Sequence, residues 1–159
     1  MILNLTEIKE RNILLDPIFQ KIAFLRSEYP DFYKWYHDTV LNGLSKGTRN
    51  IYLAKSFGEI KGILILKDTA EEKKICTLYV DTNSRSNGIG SKLMDIAMNE
   101  FHGDKPLITV ADNHIDDFRP LLEKYNFKQE DALPDYYANG RIEFTFNGHL
   151  YLPESIKIA

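Results

Sequence analysis

Arg85-Ser86-Asn87-Gly88-Ile89-Gly90 decides the reading of this chain, because it follows a strand-like run, Ile75 to Val80, and opens a helix-like one, Ile89 to Phe101. Glycine lacks a β-carbon, so the backbone at Gly88 and Gly90 can come close to a ligand, and the first N–H groups of a helix have no partner inside it. A pyrophosphate meets that need for negative charge and acceptor atoms. Spacing excludes two other phosphate loops. In GxxxxGK[ST] the second glycine precedes lysine, whereas Gly90 precedes Ser91 and no glycine stands five residues earlier; in GxGxxG the third glycine would fall on Leu93.

Downstream of the loop, Ile89, Leu93, Met94, Ala97, Met98 and Phe101 recur at helical spacing, an apolar stripe expected to pack on a sheet. Pro106 to Ala111 reads as a short buried strand, and its approach through a helix predicts parallel pairing with Lys73 to Asp81 and a right-handed crossover. Asp112 or Asn113 is expected to cap a further helix that ends at Asn126 and is kinked by Pro120. Asn139-Gly140 signals a type I′ hairpin joining Asp135 to Ala138 with Arg141 to Phe146, where Ile142, Phe144 and Phe146 alternate with polar residues. Pro153 to Ala159 reads as a loose tail.

Upstream, residues 2 to 6 read as a first strand, and Asp16 with Pro17 predicts a helix start that runs to about Arg26. A second helix from Pro30 carries Phe32, Trp35, Tyr36, Val40 and Leu44 and stops at Lys46-Gly47. Asn50 to Lys55 and Glu59 to Leu66 form a hairpin around Phe57-Gly58, with the second strand apolar on both faces and therefore central. The order is β-α-α-β-β-β-α-β-α-β-β. No repeat, low-complexity tract or Pro/Gly/Ser linker divides the chain, so residues 1–159 read as a single domain.

The length, 159 residues, suffices to bury a core without disulfides, and the longest apolar run, Gly62 to Leu66, cannot span a bilayer. The N-terminus has no basic stretch followed by an apolar one, which predicts no secretory signal; with a lone cysteine, Cys76, a cytoplasmic location follows. A net charge of −3 with scattered Lys and Arg disfavours nucleic acid and permits a cationic amine substrate. The four histidines show no HxxxH or HxH spacing, so no metal is expected. Cys76, among apolar residues, reads as a small buried hydrophobe rather than a nucleophile, and His37 as part of an aromatic helix face.

Arg-x-x-Gly-x-Gly after a strand resembles the acetyl-CoA loop of the GNAT family of N-acetyltransferases. Leu121-Leu122-Glu123-Lys124-Tyr125-Asn126-Phe127 resembles the family's Leu-Tyr-Glu-Lys-x-Gly-Phe helix ending. The resemblance covers nearly the whole chain. It implies an α/β (α+β) fold: a mixed, mostly antiparallel sheet whose fourth and fifth strands are parallel, with helices on both faces. It implies direct transfer of acetyl from acetyl-CoA to an amine-bearing acceptor, and the acidic charge balance tolerates a polyamine, an aminoglycoside or a lysine without favouring one. The cofactor contacts it implies are Leu78, Tyr79 and Val80 on the fourth strand, Arg85, Ser86, Asn87, Gly88, Ile89, Gly90 and Ser91 in the loop, and Asn113 beyond the fifth strand. Exposed strand edges and the aromatic helix also offer surfaces for a homodimer.

Two positions depart from that pattern. Asn126 stands for a glycine, and Leu122 stands for the tyrosine that often protonates the departing thiolate. The fourth strand also offers no carboxylate between Lys74 and Val80. Proton transfer therefore falls to groups outside it: His114, Tyr137 beside Tyr136, and Glu143. His114 reads also as a solvated first-turn residue, the tyrosines as rim aromatics, and Glu143 as facing either solvent or the acceptor cleft. The same departures motivate an alternative, an acyl-CoA-binding module of this fold with little or no transferase activity. A third reading makes the glycine loop a purely structural turn with no affinity for coenzyme A.

Overall fold

The structure, a computed structural model, describes residues 1–150; the expected tail over Pro153 to Ala159 lies outside the described residues. The chain enters at Ile2–Asn4 (β1) and leaves through a 3₁₀ turn, Leu5–Glu7, where the Asn4 side chain accepts from the Thr6 N–H at 3.0 Å. The first helix begins earlier than Asp16 suggests: it spans Asn12–Ile22 (α1), with Pro17 inside. Ile18, Phe19 and Ile22 are buried from it, and that burial outweighs the one backbone bond that Pro17 cannot donate. The helical segment 32–46 (α2) widens into π-helix at Trp35–Val40 and stops where Gly47 takes a left-handed φ of 77°, as its cationic last turn and glycine predict.

Arg49–Ser56 (β2) and Glu59–Asp68 (β3) form the expected hairpin. Phe57 and Gly58 both have positive φ, 51° and 78°, as a type I′ turn demands. Lys73–Val80 (β4), Ile89–Glu100 (α3), Leu107–Ala111 (β5) and Ile115–Lys124 (α4) follow. The residue capping α4 is His114, not Asp112 or Asn113, and no side-chain bond makes the cap. Pro120 lies within α4, and Asn126 ends the turn beyond it at φ 57°.

The last hairpin differs from the expectation. Its first strand is Gln129–Pro134 (β6), paired with Ile142–Phe146 (β7), so residues 135–138 form loop rather than strand. Asn139 does not adopt the positive φ that a type I′ turn needs; Asp135 does, at 58°, and its side chain accepts from the Gly140 N–H at 2.6 Å. The wider loop is closed from Asp135, and it carries Tyr136 and Tyr137.

The strands form one sheet in the order β1-β2-β3-β4-β5-β7-β6, antiparallel except for the β4/β5 pair. Both faces are covered. Leu64, Leu66, Ile75, Leu93, Met94, Ala97 and Phe101 pack in one core under α3 and α4, while Ile51, Leu53, Ile63 and Ile65 pack in another under α1 and α2. Gly62 of β3 lets α3 approach: a Cβ there would lie 2.8 Å from Ile89 and 2.9 Å from Leu93. Among the described residues no helix is long and apolar enough to cross a membrane.

A methyl group at residue 62 would force α3 off the sheet at the end that carries the glycine loop. Gly62→Ala is expected to destabilise the fold by about 1–3 kcal/mol in urea titration, and to weaken coenzyme A binding as well. An unchanged midpoint would show that α3 is free to shift.

Candidate active site

The cleft arises from a failure of strand pairing. β4 and β5 are parallel neighbours only at Lys74 with Leu107 and Ile75 with Ile108; past that point β5 stays with β7 and β4 stays with β3. The divergence starts where β4 is bulged, since Leu66 faces Ile75 and Ile65 faces Thr77, leaving Cys76 unmatched. Val80 lies opposite Gly62, and the Asp81 N–H donates to the Lys61 carbonyl at 2.8 Å. By the alternation of an antiparallel ladder, the N–H and C=O groups of Val80 and Leu78 therefore point away from β3, into the gap. The backbone of Tyr79 points to β3, while its side chain lines the cleft. The gap opens into a cleft of about 1010 Å³ that runs from the glycine loop past β4 and β5 to α2, large enough for an extended cofactor and a small acceptor.

At one end of the cleft, Ser86 and Gly88 take left-handed φ values of 68° and 80°, which turn the chain into α3. Ser86, Gly88, Gly90 and Ser91 line the cleft; Asn87 and Ile89 do not, Ile89 being spent on packing against Gly62. A Cβ on Gly90 would meet only Leu121 and Val80, each at 3.8 Å, an ordinary contact. The protein's own packing thus does not require glycine there, whereas close approach of a ligand does. Arg85 is braced by donating to the Val80 carbonyl at 3.3 Å and by Asp117 at 3.5 Å. Lys124 donates to the Ser91 hydroxyl at 2.9 Å and adds a second cation beside the helix N-terminus. Charge, open N–H groups and space coincide there, as an anion site needs.

Farther along, β5 carries Thr109 and β7 carries Glu143 on the face away from α3 and α4. Glu143 is 3 % exposed, so it faces neither solvent nor the open cleft. Tyr29 donates to it at 3.3 Å, Thr109 is hydrogen-bonded to it, and the rings of Tyr29 and Tyr137 meet edge to face at 5.1 Å. Tyr29, Tyr137 and Glu143, with Glu28 and Arg141, line a cavity of about 10 Å³, roughly the room of one water molecule. Burial lifts the Glu143 carboxyl from the ordinary range to about 7, against the smaller opposing pull of its hydrogen bonds from Thr109 and Tyr29. Burial and the Glu143 charge push the Tyr29 and Tyr137 phenols upward, so both stay protonated at neutral pH. Tyr29, Tyr137 and Thr109 also line the large cleft.

The fold thus brings Tyr137 and Glu143 together. His114 also reaches the cleft, where its Nε2 lies 2.8 Å from Glu28, which accepts from the Asn113 amide at 2.9 Å. Asn113 turns to Glu28 and the small cavity and does not line the cleft. Leu122 is 2 % exposed in the core under α4, so the face of that helix turned to the cleft carries Asp117, Phe118, Leu121 and Lys124. Tyr29 and Glu28 carry no local sequence signal: they acquire their places only when the segment after the 3₁₀ turn Ala23–Ser27 meets Glu143 of β7 and Asn113 and His114 beyond β5. Cys76 is half-buried and lines the cleft, and burial raises its thiol. Among the described residues no group of three or more His, Cys, Asp or Glu is placed to hold a metal.

A splayed parallel pair and a glycine loop at the start of the intervening helix frame one cleft, beside a buried cluster of a carboxyl and two phenols. The family model described as "Acetyltransferase (GNAT) domain" matches residues 23–145, and the chain belongs to that family. Its activity is acetyl-CoA-dependent N-acetyl transfer, with acetyl-CoA as cosubstrate. Solved structures share the fold. The aminoglycoside 6'-N-acetyltransferase from Enterococcus faecium is 15% identical, with a TM-score of 0.61 over 92% of this chain and 94% of its own. An aminoglycoside 6'-N-acetyltransferase complexed with coenzyme A is 17% identical, with a TM-score of 0.60 over 92% and 94%. An N-acetyltransferase from Staphylococcus aureus Mu50 is 16% identical, with a TM-score of 0.55 over 67% and 70%. No curated protein matches the sequence.

Gly90→Asp places a carboxylate where the cofactor's pyrophosphate is expected, with room in the fold for the first carbon. Calorimetric titration is expected to show acetyl-CoA binding abolished, with the thermal midpoint within a few degrees of the parent. Retained binding would move the cofactor away from the loop.

Proposed function

We propose that Glu143 is the terminal acceptor of the amine's proton and that Tyr137 donates a proton to the departing thiolate. The observation that carries this reading is a buried carboxyl poised near neutrality behind Tyr29, Tyr137 and Thr109, which themselves face the cleft. A base with a pKa near the working pH is partly ionised and still basic enough to accept a proton. Direct acetyl transfer also needs an uncharged amine and a polarised thioester carbonyl. The N–H groups of Val80 and Leu78 supply the polarisation. Arg85, Ser86, Gly88, Gly90, Ser91 and Lys124 hold the pyrophosphate, and Tyr29 or a water beside it passes the amine's proton inward to Glu143. Tyr137 fills the part that Leu122 leaves vacant, from the opposite wall. His114 and Glu28 then act as a positioning pair at the mouth of the small cavity.

The chain works as one domain, since a single sheet joins both cores. The lone cysteine suits the cytoplasm. The edge strands β1 and β6 leave surfaces on which a homodimer could form, and the scattered cations give nucleic acid no continuous track.

The sign of the pH dependence follows from the raised carboxyl. Glu143 must lose its proton to act as base, so kcat/KM is expected to rise as pH passes upward through about 7. Glu143→Gln should remove that limb and cost about 100-fold or more in kcat. The group's folded pKa lies above its unfolded one, so its contribution to stability is present below the ordinary carboxylate range and is lost as pH rises through about 7. The same variant should therefore be more stable than the parent at pH 8, by at most about 3 kcal/mol in denaturant titration. A limb that persists in Glu143→Gln would exclude Glu143 as the base.

A further inference from the structure

Arg49 opens β2, Lys67 lies near the end of β3 and Lys74 near the start of β4; the register sets Arg49 opposite Lys67 and Lys67 opposite Lys74. Directly opposed residues share a sheet face, so the three cations form one row across three strands. All three line the cleft, at the end away from the glycine loop that follows the other end of β4. Their neighbours Leu66 and Ile75 point into the core under α3 and α4, which puts the row on the opposite face, the one Cys76 and Tyr79 share.

Like charges directly opposed across strands repel one another. Two neighbouring acids offset them: Glu72, whose carboxylate lies 2.9 Å from the Lys67 ammonium, and Glu143, close enough for the Lys74 charge to act on its carboxyl. The other acids lining the cleft are Asp31, exposed on α2's approach, and Asp117, already paired with Arg85. Arg49 and Lys74 have no ion pair among the described residues. Arg49 is also held in place, because its stem crosses Gly43: a Cβ on that glycine would lie 2.3 Å from the Arg49 Cγ. Its Nε is buried with no hydrogen-bond partner among the described residues.

We propose that this row is an anion subsite and that the acceptor is an amine bearing a carboxylate or phosphate, bound with its anion on Arg49 and Lys74 and its amine toward Glu143. The inference rests on the transferase reading above. Lys74 and Leu78 are four residues apart, roughly 13 Å along the strand, and the flexible cationic side chains shorten that span. The acceptor accordingly separates its two charges by a chain of several atoms. A polycationic acceptor, which the overall charge of −3 permits, would meet two unpaired cations instead.

Matched acceptors test the subsite: ε-aminocaproate against its neutral amide, aminobutyl phosphate against aminobutanol, and cadaverine as the dication. Coenzyme A release gives kcat/KM, and calorimetry on the protein saturated with coenzyme A gives affinity. Anionic members are expected to exceed their neutral partners by at least about tenfold in one or both readouts. Arg49→Met and Lys74→Met should each shrink that preference while the acetyl-CoA affinity and thermal midpoint stay near those of the parent. The two variants guard against a fold defect in either. Equal or better use of the neutral or dicationic acceptors, no binding of any anionic one, or a preference that survives both substitutions would overturn the subsite. If the parent fails to bind acetyl-CoA at all, the transferase reading itself falls, and this proposal with it.

Discussion

Every functional feature of this protein depends on the point at which β4 and β5 stop pairing. A parallel pair buried on both faces would ordinarily satisfy its backbone groups across its length. Here pairing covers two residues, a bulge at Cys76 bends β4 away, and the N–H and C=O groups of Leu78 and Val80 are left to the cleft. The fold can carry these groups only because a ligand or solvent occupies the gap. One of them, the Val80 carbonyl, is already taken by Arg85, which ties the loop to the strand.

Two glycines show how the helix between those strands is placed. Gly62 on β3 is demanded by the protein itself, since any side chain there would strike Ile89 and Leu93. Gly90 is not, since a Cβ there would make only ordinary contacts with Leu121 and Val80. Tyr125 fastens the rest of the arrangement, its hydroxyl lying within hydrogen-bond reach of both the Ser91 carbonyl, at 3.0 Å, and the Asp95 carboxylate, and so joining the end of α4 to the start of α3. The glycine-loop end of the cleft is thus tied to α4 by the protein's own hydrogen bonds. The opposite end holds two electrostatic liabilities, a buried carboxyl and an opposed row of cations. Strain of this kind is retained where function requires it.

Much of this was legible in the chain. The glycine loop, its flanking strand and helix, the parallel pair and the order of elements follow from periodicity and from residues whose conformational preferences are local. The errors also have local causes. Asp16-Pro17 looks like a helix start, but apolar spacing from Leu14 onward extends α1 backwards. Asn139-Gly140 looks like a tight turn, but Asp135 captures the Gly140 N–H and holds a wider loop open.

The sequence by itself determined where an anion could bind, because a glycine turn and a helix N-terminus are made by consecutive residues. Tertiary structure alone decided the chemistry beyond it. Glu143 alternates away from the apolar face of its strand, a place that reads as solvent or cleft, and only the packing of Tyr29 and Tyr137 from distant segments buries it and moves its pKa. Arg49, Lys67 and Lys74 likewise look scattered along the chain, and become one charged row only through the register of three strands. Electrostatic character depends on distance and dielectric rather than on sequence order, so neither group could be assigned before the sheet was assembled.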